Sequence, residues 1–125
     1  HPSELEAASV VMSASSSLLT EWEFRGPAGR IQVIPEPRLV VTANQAAINA
    51  AKLGWGITRV LSYQVAEQVR IGALELLLED YELEPLPIHV VHQGGRRIPA
   101  KVREFVDFCV AQLSANSALQ GRGPR

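Results

Sequence analysis

His89 and His92 are the first residues to test, because imidazole is the commonest side-chain metal ligand. They stand three apart in Ile88-His89-Val90-Val91-His92, a run that reads as a strand. Positions i and i+3 of a strand point to opposite faces, so one ion cannot be shared without a bulge. No aspartate or second histidine cluster completes a ligand set, and ordinary sheet histidines are the favoured reading. Cys109, the single cysteine, falls on the apolar stripe of the last helix, where a buried thiol behaves as a small hydrophobe. The run Ser13-Ala14-Ser15-Ser16-Ser17 lacks the Gly-x-Ser-x-Gly turn of an exposed nucleophile, and nothing marks a base beside it. Glu79, Asp80, Glu82 and Glu84 crowd one segment before Pro85 and Pro87 and read as a solvated charged loop. Gly54-Trp55-Gly56 follows a helix, whereas phosphate-cradling glycines follow a strand. Arg96, Arg97, Lys101 and Arg103 lie close to Glu104 and Asp107, a solvated face more than a contact for nucleic acid. These residues add up to no catalytic constellation, no metal site and no cofactor fingerprint.

Two other places suit the binding of a small molecule without chemistry. One is the serine loop after Met12, and the other is Thr42-Ala43-Asn44-Gln45 at a helix start. In α/β sheets, ligands settle outside the carboxyl ends of strands, where helix N-termini carry unpaired N–H donors. Such a place favours an anion, a carboxylate above all. The plainer alternative is that Asn44 caps its helix and the serines fill a loop. The sequence places no arginine beside such an anion, and Arg59 is only a guess for that part.

Those places need strands and helices to hold them. Val10-Val11-Met12 is a short apolar run, and Trp22 and Phe24 alternate with Glu21 and Glu23 in the period of a half-buried strand. Gly26-Pro27-Ala28-Gly29 is turn chemistry. Ile31 and Val33, then Leu39-Val40-Val41, give two more extended segments, with Pro35 and Pro37 setting a loop or sheet edge between them. From Asn44 an alanine-rich helix runs to Leu53 and stops at Gly54. Ile57 to Leu61 reads as a buried strand, Ser62 as the cap of a second helix ending at Gly72, and Leu74 to Leu78 fits strand or helix equally. A turn at Gly94-Gly95 leads to a last helix from about Pro99 to Leu113, with Val102, Phe105, Val106, Cys109 and Leu113 on one stripe. Strands alternating with helices make the class α/β, with a mostly parallel or mixed sheet.

The 125 residues make one domain or a piece of one, with 46% hydrophobic and 20% charged residues. Twelve basic and thirteen acidic residues leave a net charge of −1, which argues against a polyanion-binding surface. One cysteine excludes an internal disulfide framework. No apolar run reaches the length of a membrane span, and no signal-peptide pattern is present, so the expectation is a cytoplasmic protein with no membrane partner. A start at His1 and a tail of Gly121-Arg122-Gly123-Pro124-Arg125 suggest a fragment of something longer.

In order and spacing these segments resemble the effector-binding domain of LysR-type transcriptional regulators. The resemblance lies in His1-Pro2 through Leu5, Trp22-Glu23-Phe24 with its glycine turn, and Leu39-Val40-Val41-Thr42-Ala43-Asn44. It continues through the alanine-rich helix, Gly54-Trp55-Gly56-Ile57, Tyr63-Gln64-Val65-Ala66 and Ile71-Gly72-Ala73-Leu74. Pro87-Ile88-His89-Val90-Val91 and Val102-Arg103-Glu104-Phe105-Val106-Asp107-Phe108 close it. Each motif alone is widespread; all of them in register from residue 1 to about 113 carry the case.

The resemblance implies a type II periplasmic-binding-protein-like fold, two α/β lobes around a cleft that senses a small, often acidic or aromatic metabolite. This chain would supply one lobe plus the returning strand and C-terminal helix of the other. Residues 1–84 would be the second regulatory lobe, 85–113 the returning strand and helix that belong with the first lobe, and 114–125 a flexible tail. The positions that face the cleft become Ser13, Ala14 and Ser15, together with Thr42, Asn44 and Gln45, the same two places found above. The family's winged helix-turn-helix, its linker helix and the first half of the other lobe have no counterpart here. DNA would then be contacted only through that missing N-terminal domain, and the chain would be no enzyme. Val90, Phe105, Val106 and Leu113 would lack their usual neighbours, which predicts self-association as a dimer or by exchange of the last helix. The alternatives are a lobe of a solute-binding transport protein and, further off, a small α/β enzyme.

Overall fold

The computed structural model describes residues 1–14, 21–93 and 99–120. Two compact units divide the chain, His1–Glu84 and Pro85–Arg125. The first holds a short 3₁₀ turn at Pro2–Glu6, strands β1 (Val10–Ser13), β2 (Trp22–Gly26), β3 (Gly29–Val33) and β4 (Pro37–Val41), and helices α1 (Asn44–Lys52) and α2 (Ser62–Arg70). A 3₁₀ turn at Glu79–Tyr81 follows, and the second unit carries α3 (Ala100–Ala115).

β1 and β4 run parallel, with Ser13 beside Val41 at their carboxyl ends. Val10 and Val11 are both fully buried, as expected of a parallel strand covered on two faces. Val10 joins Leu5, Trp22 and Val33 in one cluster, flanked by Phe24, Ile31 and Ile57. Alternation turns Val11 to the other face, where α1 packs over β1 and β4 and buries Ala47 and Ile48. β2 and β3 form an antiparallel hairpin in which Trp22 faces Val33 and Phe24 faces Ile31. The Gly26–Gly29 turn joins them. Pro37 opens β4 opposite Val10, next to an irregularity in the ladder, a position that tolerates a missing amide donor. Among the described residues the strands form two small sheets, a parallel pair and an antiparallel hairpin.

Three expectations need correction. Ile57 to Leu61 is not a strand: it shrinks to one parallel bridge between Ile57 and Val10, in which Ile57 N–H donates to Ser9 at 2.8 Å and Val11 N–H to Ile57 at 2.8 Å. Ile88 to His92 also forms no strand, since a strand exists through its ladder and none of the described residues supplies a partner ladder. Leu74 to Leu78 is neither strand nor helix. In α3 the apolar stripe exists, yet no residue of that helix is buried and Cys109 is only half-buried. α3 runs two residues past the expected Leu113, and a turn closes behind it through Leu119 N–H to Asn116 at 3.0 Å.

Candidate functional site

The parallel pairing brings the two candidate places to one edge. β1 ends at Ser13 and β4 at Val41, in register, and Ala14 N–H donates to the Val41 carbonyl at 2.7 Å. The serine loop therefore starts beside the turn that leads into α1. Ser13 is buried, at 5% exposure, whereas Ala14 and Thr42 are exposed. Ser15, with the rest of the serine cluster, lies outside the described residues. So do Gly94, Gly95, Arg96, Arg97 and the C-terminal five residues.

Asn44 does not cap α1. The cap is Ala43, in extended conformation and without a capping side chain, and Asn44 is the first helical residue. Its Nδ2 donates instead to Oε1 of Gln64, at 3.2 Å, in the first turn of α2. Ser62 likewise is not a cap but the first residue of α2. There Leu61 N–H donates to Gln64 Oε1 at 3.2 Å, so the glutamine side chain does the capping. Ile57, on the other side of β1 from β4, leads through Leu61 to that helix. Three chain segments therefore converge: the exit of β1, the start of α1 and the start of α2.

Neither helix carries an acidic residue in its first turn, although carboxylates are favoured there. The positive ends of both helices are thus left without a compensating charge of their own. Ala46 and Ala47 N–H both return to Ala43, at 3.1 and 3.2 Å, while the main-chain N–H of Gln45 has no partner among the described residues. Ala14 is different, because its N–H is already engaged by Val41. The Gln45 side chain runs along the helix to Asn49 Oδ1 at 3.2 Å, leaving its main chain as its contribution to the edge.

Arg59 sits with the hairpin. Burial pulls its guanidinium below the ordinary value, and the charge of Glu23 on β2 opposes that shift. Glu23 also accepts from Arg30 at 3.3 Å and from Gln32 at 3.4 Å. At the far end of α2, a two-pronged Arg70–Glu67 pair at 2.6 and 2.7 Å holds the Glu67 carboxyl below its ordinary range. Both side chains of that pair are solvent-exposed, so it serves the helix surface. Among the described residues no group of three or more histidine, cysteine or acidic side chains is placed to hold a metal ion.

Gln64 is the site residue that sequence reasoning passed over. Its signal was present in the position, three residues after Leu61, where a glutamine reaches back to the helix start. Its second partner, Asn44, is twenty residues away and could not be read from local spacing.

A parallel pair flanked by helices, with helix starts gathered at its carboxyl edge, has the form of a lobe of a type II periplasmic-binding-protein-like domain. The family profile of the LysR substrate binding domain matches residues 1–114, and the chain belongs to that family. Among curated proteins, an HTH-type transcriptional repressor of Pseudomonas aeruginosa (strain UCBPP-PA14) is 28% identical over 99 residues, covering 79% of this chain and 31% of the repressor. The HTH-type transcriptional activator AaeR of Escherichia coli (strain K12) is 27% identical over 108 residues, covering 82% of this chain and 35% of AaeR. The chain thus spans about a third of the length of these relatives. Both are transcriptional regulators, which favours that class over a transport lobe. The regulatory domain of AphB in Vibrio vulnificus shares the fold, with a TM-score of 0.73 and 23% identity over 90% of this chain and 55% of that one. No helix among the described residues is long and apolar enough to cross a membrane.

Proposed function

We propose that this chain is the effector-sensing part of a LysR-type transcriptional regulator, and that it takes a small carboxylate metabolite at the carboxyl edge of β1 and β4. The site takes in Ser13, Ala14, Thr42, Asn44 and Gln45 at that edge, together with Ser15, which follows Ala14 in the sequence. Residues 1–84 act as the second regulatory lobe and 85–113 belong with the first, with 114–125 as a tail. The ligand is bound and not transformed, so no cofactor is required. Its binding shifts the regulator between two arrangements that differ in affinity for DNA, which a winged helix-turn-helix elsewhere in the regulator contacts in the cytoplasm.

One observation carries the reading: the β1–β4 register sets Ser13 beside Val41, so that two places separated by some thirty residues of sequence meet at one edge. The uncompensated first turn of α1 and the open Gln45 N–H supply the attraction for an anion. A thermal-shift screen of aliphatic and aromatic carboxylates, with the matching amides as controls, tests it. At a hundredfold excess over Kd a bound ligand adds about 2.7 kcal/mol. At least one carboxylate is expected to stabilise the chain, and Asn44→Ala or Ser15→Ala to abolish that gain. A gain indifferent to both changes removes the site, and no gain from any carboxylate removes the ligand class.

A further inference from the structure

Two carboxamides stand between the starts of α1 and α2, and a main-chain group fixes the direction of both. The N–H of Leu61 can only donate, so the Gln64 atom it meets at 3.2 Å must be the oxygen, Oε1. Asn44 reaches that same oxygen at 3.2 Å and must therefore present its nitrogen, Nδ2. The orientation that is ordinarily ambiguous for an amide side chain is settled here for two residues by one backbone donor. Gln64 is further anchored by its own N–H, which donates to the Leu61 carbonyl at 2.9 Å. Its oxygen thus accepts twice. The opposite end of the carboxamide, Nε2, is a double donor with no partner among the described residues, on a side chain that is half-buried.

We infer that Gln64 is a positioning and specificity-determining residue of the carboxylate site. Its oxygen locks the Asn44 carboxamide and ties the two helix starts together, and its Nε2 is the donor offered to the ligand's carboxylate. This rests on the effector reading above. Glutamate and leucine separate the two roles. Gln64→Glu keeps the length and an acceptor oxygen for both Leu61 and Asn44, and replaces the outward donor by a carboxylate oxygen that repels an anion. Gln64→Leu keeps much of the bulk and removes donor and acceptor alike.

The test is 15N NMR on the full chain and both variants, with sodium acetate and sodium benzoate as probes. In the unmodified chain, the probes are expected to shift the main-chain amide of Gln45 and the side-chain amide of Gln64. Amide exchange at Leu61 is expected to be slow in the unmodified chain and in Gln64→Glu, and faster in Gln64→Leu. Binding of the probes should weaken about tenfold or more in Gln64→Glu, the scale of a lost hydrogen bond to a charged group. Equal Leu61 exchange in all three overturns the positioning role. Unchanged probe binding in Gln64→Glu overturns the specificity role and leaves the effector site standing. If neither probe shifts any residue at the edge of the unmodified chain, the effector site falls and the donor role with it, while Leu61 exchange still judges the bridge.

Discussion

Asn44 and Thr58 illustrate opposite fates for a polar side chain near a buried sheet. Asn44 is half-buried, and it meets the demand of burial by crossing to Gln64. The Thr58 hydroxyl, next to the Ile57 bridge, is buried with no hydrogen-bond partner among the described residues. A buried hydroxyl that loses water without gaining a partner costs about 1–3 kcal/mol, whereas a methyl of the same shape does not. Thr58→Val keeps the branched side chain and removes the orphaned oxygen. It is expected to raise the stability of the chain by about 1 kcal/mol, read as a higher urea midpoint with an unchanged slope. A fall in the midpoint would mean that the hydroxyl has a partner in solution, an ordered water being the first candidate. The Trp22 indole N–H is orphaned in the same way within the main cluster, but no residue of similar shape lacks its donor, so Thr58 is the cleaner test.

At the scale of elements, the two glycines around Trp55 do different work. Gly54 ends α1 with φ +80°, and a Cβ there would meet nothing within 4 Å. Gly56 has φ +147°, and its Cβ would collide with the carbonyl of Ser9, the group that pairs with Ile57. Gly54→Ala therefore meets only the left-handed penalty of about 1–2 kcal/mol. Gly56→Ala adds displacement of the segment that bridges to β1, and is expected to destabilise by clearly more than its neighbour in parallel urea melts. Equal losses would refute the close approach at Ser9. Gly54 and Gly72 also show why α1 and α2 were legible: each is a run free of glycine and proline, closed by a glycine of positive φ, and the whole signal is local. The hairpin was legible for the same reason, with Trp22 and Phe24 on one face and a glycine turn behind them. Ile57 to Leu61 and Ile88 to His92 were not, because apolar content sets a strand's potential while its existence depends on neighbours the local sequence does not name. The candidate site divides in the same way. Asn44 and Ser13 could be picked out from helix starts and strand ends, but the Asn44–Gln64 link required the fold.

For the whole molecule, the distribution of burial sets the expectation. Leu5, Val10, Val11, Trp22, Val33, Ala47, Ile48 and Val65, the buried hydrophobic residues among those described, all lie in the unit His1–Glu84. The unit Pro85–Arg125 has none among its described residues, and it exposes Leu86, Ile88, Val91, Phe105 and Phe108, with Val91 at 87% and Phe105 at 66%. Its own groove, about 270 Å³, is lined by Leu86, Pro87, Ile88, Val90, Val110 and Leu113. Apolar surface gains roughly 25 cal/mol per Å² on leaving water, so side chains of this size left bare favour association. The expected outcome is that the chain self-associates through α3, with a mean mass that rises with concentration in sedimentation equilibrium. Phe105→Ser with Phe108→Ser should lower that association. The same pair should leave the urea midpoint of the first unit where it was, since neither residue contributes to its core. A monodisperse monomer at every concentration, with α3 freely mobile by NMR relaxation, would refute the association. A fall in the first unit's midpoint would show instead that its stability depends on α3, and that the division of the core at Glu84 does not hold in solution.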